Sequence, residues 1–418
     1  MEILYITNFT EPKTYWKIVH ESKIKPAGSA SQNFEGLLLK GFFELEDLDV
    51  TACSFRLVPS YPGHGQVLWK GYNEELFNNV TCTYLSFINL PILKQLCFSI
   101  GLIPIIIKWT IKNRSEQKAI LFTCINIPMV FSAFFLRIFL KYPVVAIVPD
   151  LPSLVLDYTE LNRFKRLLKY PYKWLAKVAE YRFDGYVFLT EPMNKVINHK
   201  HRPYIIVEGI TDSDINNKDK LKPNSPKFGV MYAGALYRKF GIETLIKGVI
   251  RTNNKNIELW LFGAGDMETE IIHYAGLDSR IKFFGLRPRE EVIQAELNAL
   301  LLINPRPSKQ EFTEFSFPSK ILEYMATGTP VITTRLPGIP PEYFNYTFVL
   351  DDETEEGIAY IIELLLQMPQ YKLDEFGQRA RQFVLENKNN RIQAKKIFDL
   401  IKKVIPLQKP QKAAKPAG

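Results

Sequence analysis

The chain before Thr211 alternates short apolar runs with longer stretches of helical pattern. The apolar runs are hydrophobic on both faces, which is typical of parallel strands covered by helices. They lie at Ile3–Ile6, Val50–Phe55, Ile120–Ile125, Val144–Val148, Tyr186–Leu189 and Tyr204–Val207. This part of the sequence therefore predicts one sheet of mainly parallel strands.

A polar segment, Thr211–Lys227, indicates a linker because Asn, Asp, Lys, Pro and Ser replace the apolar pattern. A second alternating pattern follows it. Its predicted strands are Phe228–Tyr232, Ile257–Phe262, Ile281–Phe284, Leu300–Ile303, Val331–Thr333 and Phe348–Leu350. Its predicted helices are Gly241–Thr252, Met267–Ala275, Arg289–Ala295, Pro318–Thr327 and Glu355–Leu366.

The two patterns predict an α/β protein with two Rossmann-like, doubly wound parallel-sheet domains. We expect them to face a central cleft, because such sheets bind ligands beyond the carboxyl ends of their strands. The N-terminal domain is predicted at 1–212, the linker at 213–227 and the C-terminal domain at 228–389. A closing helix at 390–405 is a candidate to cross back to the first domain. Residues 406–418 lack a core-forming pattern and are predicted to be disordered.

One stretch, Ala119–Leu136, is apolar enough to resemble a membrane span. Asn126 and Pro128 lie in its middle, and β-branched residues are frequent in its first part. We therefore predict a buried strand, a turn and a core helix that runs to Lys141.

The formal net charge is +9, and a basic protein favours acidic partners such as phosphorylated substrates or an anionic membrane surface. No nucleic-acid-binding module is recognisable, so nucleic acid is not expected as a partner. The four cysteines form no C-x-x-C pair, and the first residues resemble a strand instead of a secretory signal. These features predict a cytoplasmic protein. The two Asp-x-Asp pairs lie before a strand and in the linker, so we expect no metal site.

The most informative segment is Asn304–Thr334, whose pattern is loop, helix, tight turn and strand. Pro318 suits the first turn of the helix, and Ser316 is a candidate for its cap. A capped helix of purely structural role gives a similar pattern. The Pro-Ser-Lys entry and the Gly-Thr-Pro exit occur together here, which favours a binding site.

The start of that helix predicts an anion site. Amides around Ser319 and Lys320, the helix dipole and the lysine ammonium all favour a bound phosphate. Glu323 lies one turn further along and is itself anionic. It is therefore better suited to accept hydrogen bonds from a ribose diol.

Phe315-Ser316-Phe317-Pro318-Ser319-Lys320 followed by Glu323-Tyr324 resembles the donor-site motif of glycosyltransferase family four, and more closely a bacterial branch that builds surface polysaccharides. The resemblance implies a GT-B fold, a nucleoside-diphosphate sugar donor, retention at the anomeric carbon, and no metal or other cofactor. The family has a first glutamate that touches the donor sugar. Phe315 stands at that position here and Glu314 precedes it, so either Glu314 or main-chain groups take this role.

Two further segments resemble donor-binding parts of the family. The first contains Gly234, and the family's Arg and Lys fall on Ala235 and Phe240. Arg238 and Lys239 lie in the same loop and can supply the charge that a departing diphosphate needs. An Arg-Lys pair that is only solvated is the alternative.

The second segment contains Gly263 in a strand-to-helix turn, which also occurs for purely structural reasons. Main-chain groups of Leu286 and Arg287 are candidates to contact the nucleobase, and Arg306 is a candidate phosphate contact.

The N-terminal domain is expected to bind the acceptor. Asp150 follows a predicted strand where the family often has a His-Asp pair, and it is a candidate to contact hydroxyls and assist proton removal. A turn-capping role is the alternative. Leu161–Phe183 and Ile100–Arg114 combine apolar and basic residues, which suits an anionic membrane surface, although an ordinary basic helix face gives the same pattern.

The sequence thus predicts a retaining glycosyltransferase of surface polysaccharide synthesis, peripheral at the inner face of the cell membrane. Its acceptor would be a lipid-linked saccharide or an oligosaccharide. A sugar-nucleotide epimerase and a non-catalytic GT-B subunit that binds glycan or a partner transferase are the alternatives.

Overall fold

The computed structural model describes residues 1–24, 29–77, 80–112, 117–123, 127–140, 142–149, 174–217, 229–310 and 313–405. They form two compact units. The first comprises Met1–Phe188, Met193–Ile206 and the chain from Gln393 onward, and the second comprises Leu189–Pro192 and Val207–Ile392. Asp150, residues 161–173 of the predicted membrane segment, most of the predicted linker and the predicted disordered tail lie outside the described residues.

An eight-stranded sheet forms the centre of the first unit, in the order β10-β9-β8-β7-β1-β2-β5-β4. Its strands are β1 (Glu2–Thr7), β2 (Asp49–Ser54), β4 (Tyr72–Phe77), β5 (Val80–Tyr84), β7 (Lys118–Thr123), β8 (Val144–Val148), β9 (Gly185–Phe188) and β10 (Tyr204–Ile206). All six strands predicted here are confirmed within a residue or two. Neighbouring strands are parallel except β4 and β5, which pair antiparallel. The sheet is therefore mixed at one edge, in a region where the sequence predicted no strand.

The missed strands have a physical explanation. Strand β5 alternates buried and less buried positions, which is the pattern of a strand with one solvated face. Two further strands, β3 (Leu68–Trp69) and β6 (Phe87–Ile88), are only two residues long and pair with each other. Such segments lack the continuous apolar run that marks a central parallel strand.

Helices of the first unit are α1 (Pro12–Glu21), α2 (Ser29–Phe43), α3 (Pro91–Lys112), α4 (Ile127–Leu140) and most of α5 (Glu191–Ile197). The stretch Ala119–Leu136 divides into strand β7 and helix α4, as predicted. Within the described part of the chain, α3 is the one helix with the length and apolar composition of a membrane span, with a mean hydropathy of 1.6.

The second unit contains a six-stranded parallel sheet in the order β13-β12-β11-β14-β15-β16. The strands are β11 (Gly229–Ala233), β12 (Glu258–Phe262), β13 (Ile281–Gly285), β14 (Leu301–Asn304), β15 (Val331–Thr334) and β16 (Phe348–Leu350), so every predicted strand is confirmed. The strand order reverses between β11 and β14. In doubly wound sheets, that reversal is where ligands bind.

Six helices flank the strands of this sheet in the described chain. They are α6 (Ile242–Arg251), α7 (Glu268–Leu277), α8 (Arg289–Asn298), α9 (Lys320–Thr327), α10 (Glu355–Leu366) and α11 (Gln370–Asn387). In α6 the buried residues Ile242, Leu245, Ile246 and Val249 follow helical spacing and join the core.

The closing helix α12 (Asn390–Val404) belongs to the first unit from Gln393 onward. Its last residue packs on strand β9, where a Cβ added to Gly185 would lie 2.9 Å from Val404 Cγ2.

Candidate functional site

The carboxyl end of β11 is fixed to helix α9 by one tyrosine. The Ala233 amide donates to Tyr324 Oη at 2.8 Å, and that hydroxyl lies 3.2 Å from the Ala233 carbonyl oxygen, to which it donates. Tyr324 is completely buried. Strand β11 therefore ends at a set position beside the first turn of α9, at the reversal point of the sheet.

Two glycines bring the main chains after β11 and β12 into close contact. Gly234 and Gly263 have φ angles of 146° and 128°, which other residues rarely adopt. A Cβ on Gly263 would lie 1.8 Å from the Gly234 carbonyl oxygen, and the Gly234 amide donates to Phe262 O at 2.9 Å. This contact leaves bare main chain at the sheet edge, which we call the glycine floor.

Lys320 lies against this floor. Its Nζ is 3.6 Å from the centroid of the Tyr232 ring and only 2.5 Å from the position that a Cβ on Gly234 would take. Burial, followed by the nearby positive charge of Arg306, lowers the pKa of the Lys320 ammonium well below its usual value, against the opposing effect of Glu323 and Glu296. The fold therefore holds a lysine where its positive charge is incompletely balanced.

Helix α9 begins at Lys320, two residues later than the sequence predicted. Its first helical hydrogen bond runs from the Glu323 amide to Ser319 O at 3.4 Å, so the amides of Ser319 and Lys320 precede the ladder. The prediction that Ser316 caps this helix is wrong. Its hydroxyl accepts a long hydrogen bond of 3.5 Å from Arg306 Nη1, because the chain turns into the helix only after Pro318.

Arg306 is the second cation at the reversal point. It follows β14, and its guanidinium carbon lies 4.5 Å from the centroid of the Phe240 ring. Thr334 Oγ1 donates to its carbonyl oxygen at 2.5 Å, which fixes the main chain there. Burial lowers the pKa of Arg306, and Arg306 in turn depresses that of Lys320. In the sequence comparison, Phe240 stands at a position where the resembled family has a cation. The Arg306 guanidinium lies against the Phe240 ring, so a positive charge is present near that position.

Glu323 is oriented by a residue that the sequence analysis missed. Arg289 Nε, from the start of α8, donates to Glu323 Oε1 at 3.3 Å. The two side chains are about one-third and a quarter exposed, so the carboxylate remains accessible to a ligand. An arginine at the start of a helix carries no sequence signal for such a role, because most are solvated.

Glu296 is a second missed residue. It is fully buried, and among the described residues neither of its carboxylate oxygens has a hydrogen-bond partner. Burial, and then the charge of Glu323, raises the pKa of Glu296 well above its usual value, while Arg289 and Lys320 oppose this. A signal existed in the sequence, since Glu296 lies three residues after Ile293 on the buried face of α8.

Residues 227–368 match the family model described as glycosyl transferases group 1. This segment is therefore similar to a group 1 glycosyl transferase domain. It covers most of the second unit, including the glycine floor, Lys320 and Glu323.

Solved structures similar to the whole chain carry the same architecture. Anabaena Alr3699/HepE in complex with UDP is 15% identical, with a TM-score of 0.60, over 96% of this chain and 100% of that one. Sucrose-phosphate synthase from Thermosynechococcus elongatus is 16% identical, with a TM-score of 0.62, over 97% and 99%. The lipopolysaccharide outer core galactosyltransferase WaaB, in apo form, is 14% identical, with a TM-score of 0.58, over 96% and 99%. These matches confirm the GT-B fold. No curated protein sequence is significantly similar to this chain.

Beside the glycine floor, the second unit exposes an apolar surface at the end of β13. The Phe262 and Phe284 rings are stacked 4.4 Å apart, and Phe284 and Leu286 are exposed. The Gly263 amide donates to Gly285 O at 2.8 Å, which joins this surface to the floor. Arg287 Nε donates to Phe284 O at 3.0 Å. The predicted nucleobase contacts Leu286 and Arg287 are therefore adjacent to Gly263.

Other predicted residues of the second unit are less centrally placed. Arg238 is already engaged in ion pairs with Glu243 and Glu270. Lys239 Nζ lies 5.5 Å from the centroid of the Phe240 ring. The side chain of Glu314 is exposed, and its carbonyl oxygen accepts a hydrogen bond of 3.0 Å from Thr190 Oγ1. The predicted residues that the structure brings together at the reversal point are thus Gly234, Gly263, Arg306, Ser319, Lys320 and Glu323.

Across the described part of the chain, no three His, Cys, Asp or Glu side chains cluster in a way that could hold a metal ion.

Proposed function

We propose that this protein is a retaining glycosyltransferase that transfers a sugar from a nucleoside-diphosphate sugar to a lipid-linked saccharide or oligosaccharide acceptor in surface polysaccharide synthesis. The observation that carries the proposal is the Lys320 ammonium held against the bare main chain of Gly234, at the point where the strand order reverses. It acts at the inner face of the cell membrane, and an anionic membrane surface is among its partners.

The donor diphosphate binds between Lys320, Arg306 and the first amides of α9. Burial disfavours both cations in the free protein, and the charge of Arg306 further disfavours that of Lys320, so an anion beside them relieves both effects. During transfer the departing diphosphate gains negative charge, which fixed cations stabilise without any rearrangement. Lys320 and Arg306 thereby stabilise the charge of the departing diphosphate, a role that a metal ion has in some other enzymes. Arg238 stabilises its loop through ion pairs with Glu243 and Glu270.

The nucleoside occupies the other side of the glycine floor. Glu323, oriented by Arg289, accepts hydrogen bonds from the ribose hydroxyls. The nucleobase lies on the exposed apolar surface of Phe284 and Leu286, with main-chain groups of Leu286 and Arg287 at its edge. UDP is the first nucleotide to test, because Anabaena Alr3699/HepE was solved with it.

The reaction retains the anomeric configuration. The bond from the anomeric carbon to the phosphate oxygen breaks, and the bond to the acceptor oxygen forms on the same face. The acceptor proton passes to the departing phosphate oxygen. Glu314 or nearby main-chain groups contact the donor sugar, and Asp150 contacts hydroxyls. The similarity to the galactosyltransferase WaaB supports a saccharide acceptor of a cell surface.

The test is binding and hydrolysis of UDP-, GDP-, ADP- and dTDP-sugars, with membrane lipid extract as the acceptor source. The variant is Glu323→Gln, and Glu290→Gln, an exposed glutamate beside Arg289 on α8, is the matched control. We expect one donor class to bind and to glycosylate lipid. Glu323→Gln weakens its binding about 10-fold or more, the loss of hydrogen bonds to a charged group.

Two results contradict the proposal. A folded protein that binds none of the nucleotide sugars is a non-catalytic GT-B subunit. Conversion of the donor sugar into an epimer without any acceptor identifies an epimerase.

A further inference from the structure

Helix α3 carries an unbroken apolar stripe on its exposed side. The exposed residues Leu93, Leu96, Ile100, Ile107 and Ile111 recur at helical spacing, and Pro104 occupies the position between Ile100 and Ile107. At the rise of an α-helix the stripe extends for about 30 Å. We call it the α3 stripe. Isolated exposed apolar residues are common on proteins, whereas a continuous row of this length marks an interaction surface.

The opposite side of α3 is packed inside the first unit. Phe98, Leu102, Ile106 and Trp109 are buried, and they alternate with the stripe along the helix. A helix that crosses a bilayer is surrounded by lipid or by other spanning segments. Because one side of α3 is packed against a mixed α/β unit, the helix can contact lipid only along its exposed side, parallel to a surface.

The charges of α3 have one sign. Pro91–Lys112 contains no Asp or Glu, and it contains three lysines. Lys94 is buried and donates to the Val58 carbonyl oxygen, so its charge is used inside the unit. Lys108 and Lys112 are exposed beside the stripe. Aliphatic residues flanked by cations match a bilayer with anionic headgroups.

The composition also argues against a protein partner. Centres of protein–protein interfaces are enriched in Tyr, Trp and Arg, which supply most of the binding free energy. The α3 stripe offers Ile and Leu, and the aromatic residues of the helix point inward. Branched aliphatic side chains have no hydrogen-bonding groups. They therefore suit the acyl chains of a membrane, which make no specific polar contacts.

We propose that the exposed side of α3 is the membrane-docking surface of this protein, lying in the plane of an anionic bilayer with the α3 stripe buried among the acyl chains. This deepens the proposed function, on which it rests for a lipid-linked acceptor as the reason to dock. Donor binding belongs to the second unit and is measured separately, so failure of one proposal leaves the other standing.

The test is co-sedimentation of the full chain with phosphatidylcholine vesicles that either contain or lack phosphatidylglycerol. The variant Ile100→Glu with Ile111→Glu changes residues that are 65% and 75% exposed, so the fold tolerates it. The control, Ile272→Glu with Leu277→Glu on α7, changes residues that are 60% and 71% exposed. We expect vesicle binding to fall about 100-fold or more in the α3 variant, from the lost burial of two aliphatic side chains. The α7 control binds as the unchanged protein does.

A second variant separates the charge from the apolar contact. Lys108→Gln with Lys112→Gln loses about fivefold in binding for each lysine on phosphatidylglycerol vesicles, and nothing on phosphatidylcholine alone. Equal vesicle binding by the unchanged protein and the α3 variant overturns the proposal. So does a dimer, measured by analytical ultracentrifugation without lipid, that the α3 variant abolishes, since the stripe would then be covered by a second copy of the chain.

Discussion

Replacing Lys320 by methionine separates the role of its charge from its role in packing. Methionine keeps most of the side-chain volume against the Tyr232 ring and the Gly234 main chain but removes the ammonium. A cation that contacts the donor phosphates makes a charge-assisted hydrogen bond of about 1.5–3 kcal/mol. We therefore expect the variant to bind the nucleotide-sugar donor about 10- to 150-fold more weakly.

Whereas donor binding weakens, the free energy of unfolding of the ligand-free variant should stay the same or increase. The pKa of Lys320 is lower in the folded protein than in the unfolded chain. At any pH below the unfolded pKa, the lysine ammonium therefore lowers the free energy of unfolding. The cation–π contact with Tyr232 opposes this by about 0.5–2 kcal/mol, and the lowered pKa indicates that desolvation prevails. Lys320→Met thus unfolds at the same or a higher urea concentration than the unchanged protein.

The pH dependence of donor affinity distinguishes the charge of Lys320 from its packing, because a packing contact does not titrate. Above the lowered pKa of free Lys320, the donor must bind a protein that takes up a proton, so affinity declines as the pH rises. In Lys320→Met this decline disappears. The assay is isothermal titration calorimetry with the donor across pH, and Lys372→Met, an exposed lysine on α11, is the control.

One result would refute this reasoning. If Lys320→Met lost donor affinity and stability together, and kept the pH profile of the unchanged protein, Lys320 would be a packing residue.

Three further changes test other parts of the second unit. Because the pKa of Glu296 is raised, the folded state holds a proton that the unfolded state has released. The free energy of unfolding therefore falls as the pH rises from about 4.3 towards the folded pKa. Glu296→Gln flattens this profile in urea titrations. Lys388→Met leaves the buried Glu208 without its ammonium partner at 2.8 Å and lowers the free energy of unfolding by about 3–5 kcal/mol, and adding Glu208→Gln restores much of it. Gly263→Ala forces a Cβ into main chain at a positive φ, which lowers the melting temperature and weakens donor binding. Gly276→Ala, with open space on α7, should be neutral or stabilising, and a loss there equal to that of Gly263→Ala would contradict the glycine floor.

The sequence predicted most of the fold because central parallel strands carry a strong pattern. Strands such as Val144–Val148 are apolar on both faces and end at clear turn residues, so their bounds follow closely. The strands Tyr72–Phe77 and Val80–Tyr84, at one end of the sheet, were missed because Val80–Tyr84 alternates buried and less buried positions and forms no continuous apolar run. The start of the helix at Lys320 was set too early, because proline and serine are compatible with several positions around a helix start.

The candidate site was predictable where chemistry and local pattern coincide. Lys320 and Glu323 follow from the helix start and the spacing of one turn. The contact between Arg306 and Phe240 joins residues far apart in the chain, and the sequence around neither residue predicts it. Glu296 and Arg289 belong to the same class, because their roles depend on the packing of α8 beside α9.

The reversal of strand order also has a consequence for how the second unit folds. Strands β11 and β14 pair across a long stretch of sequence, Val230 opposite Leu301, and every group of the donor site comes from one side or the other of that seam. The segment from β11 to β13 therefore holds only part of the proposed site, and the pairing of β14 with β11 completes it. A nucleotide sugar then acts as a template that favours the closed seam by mass action.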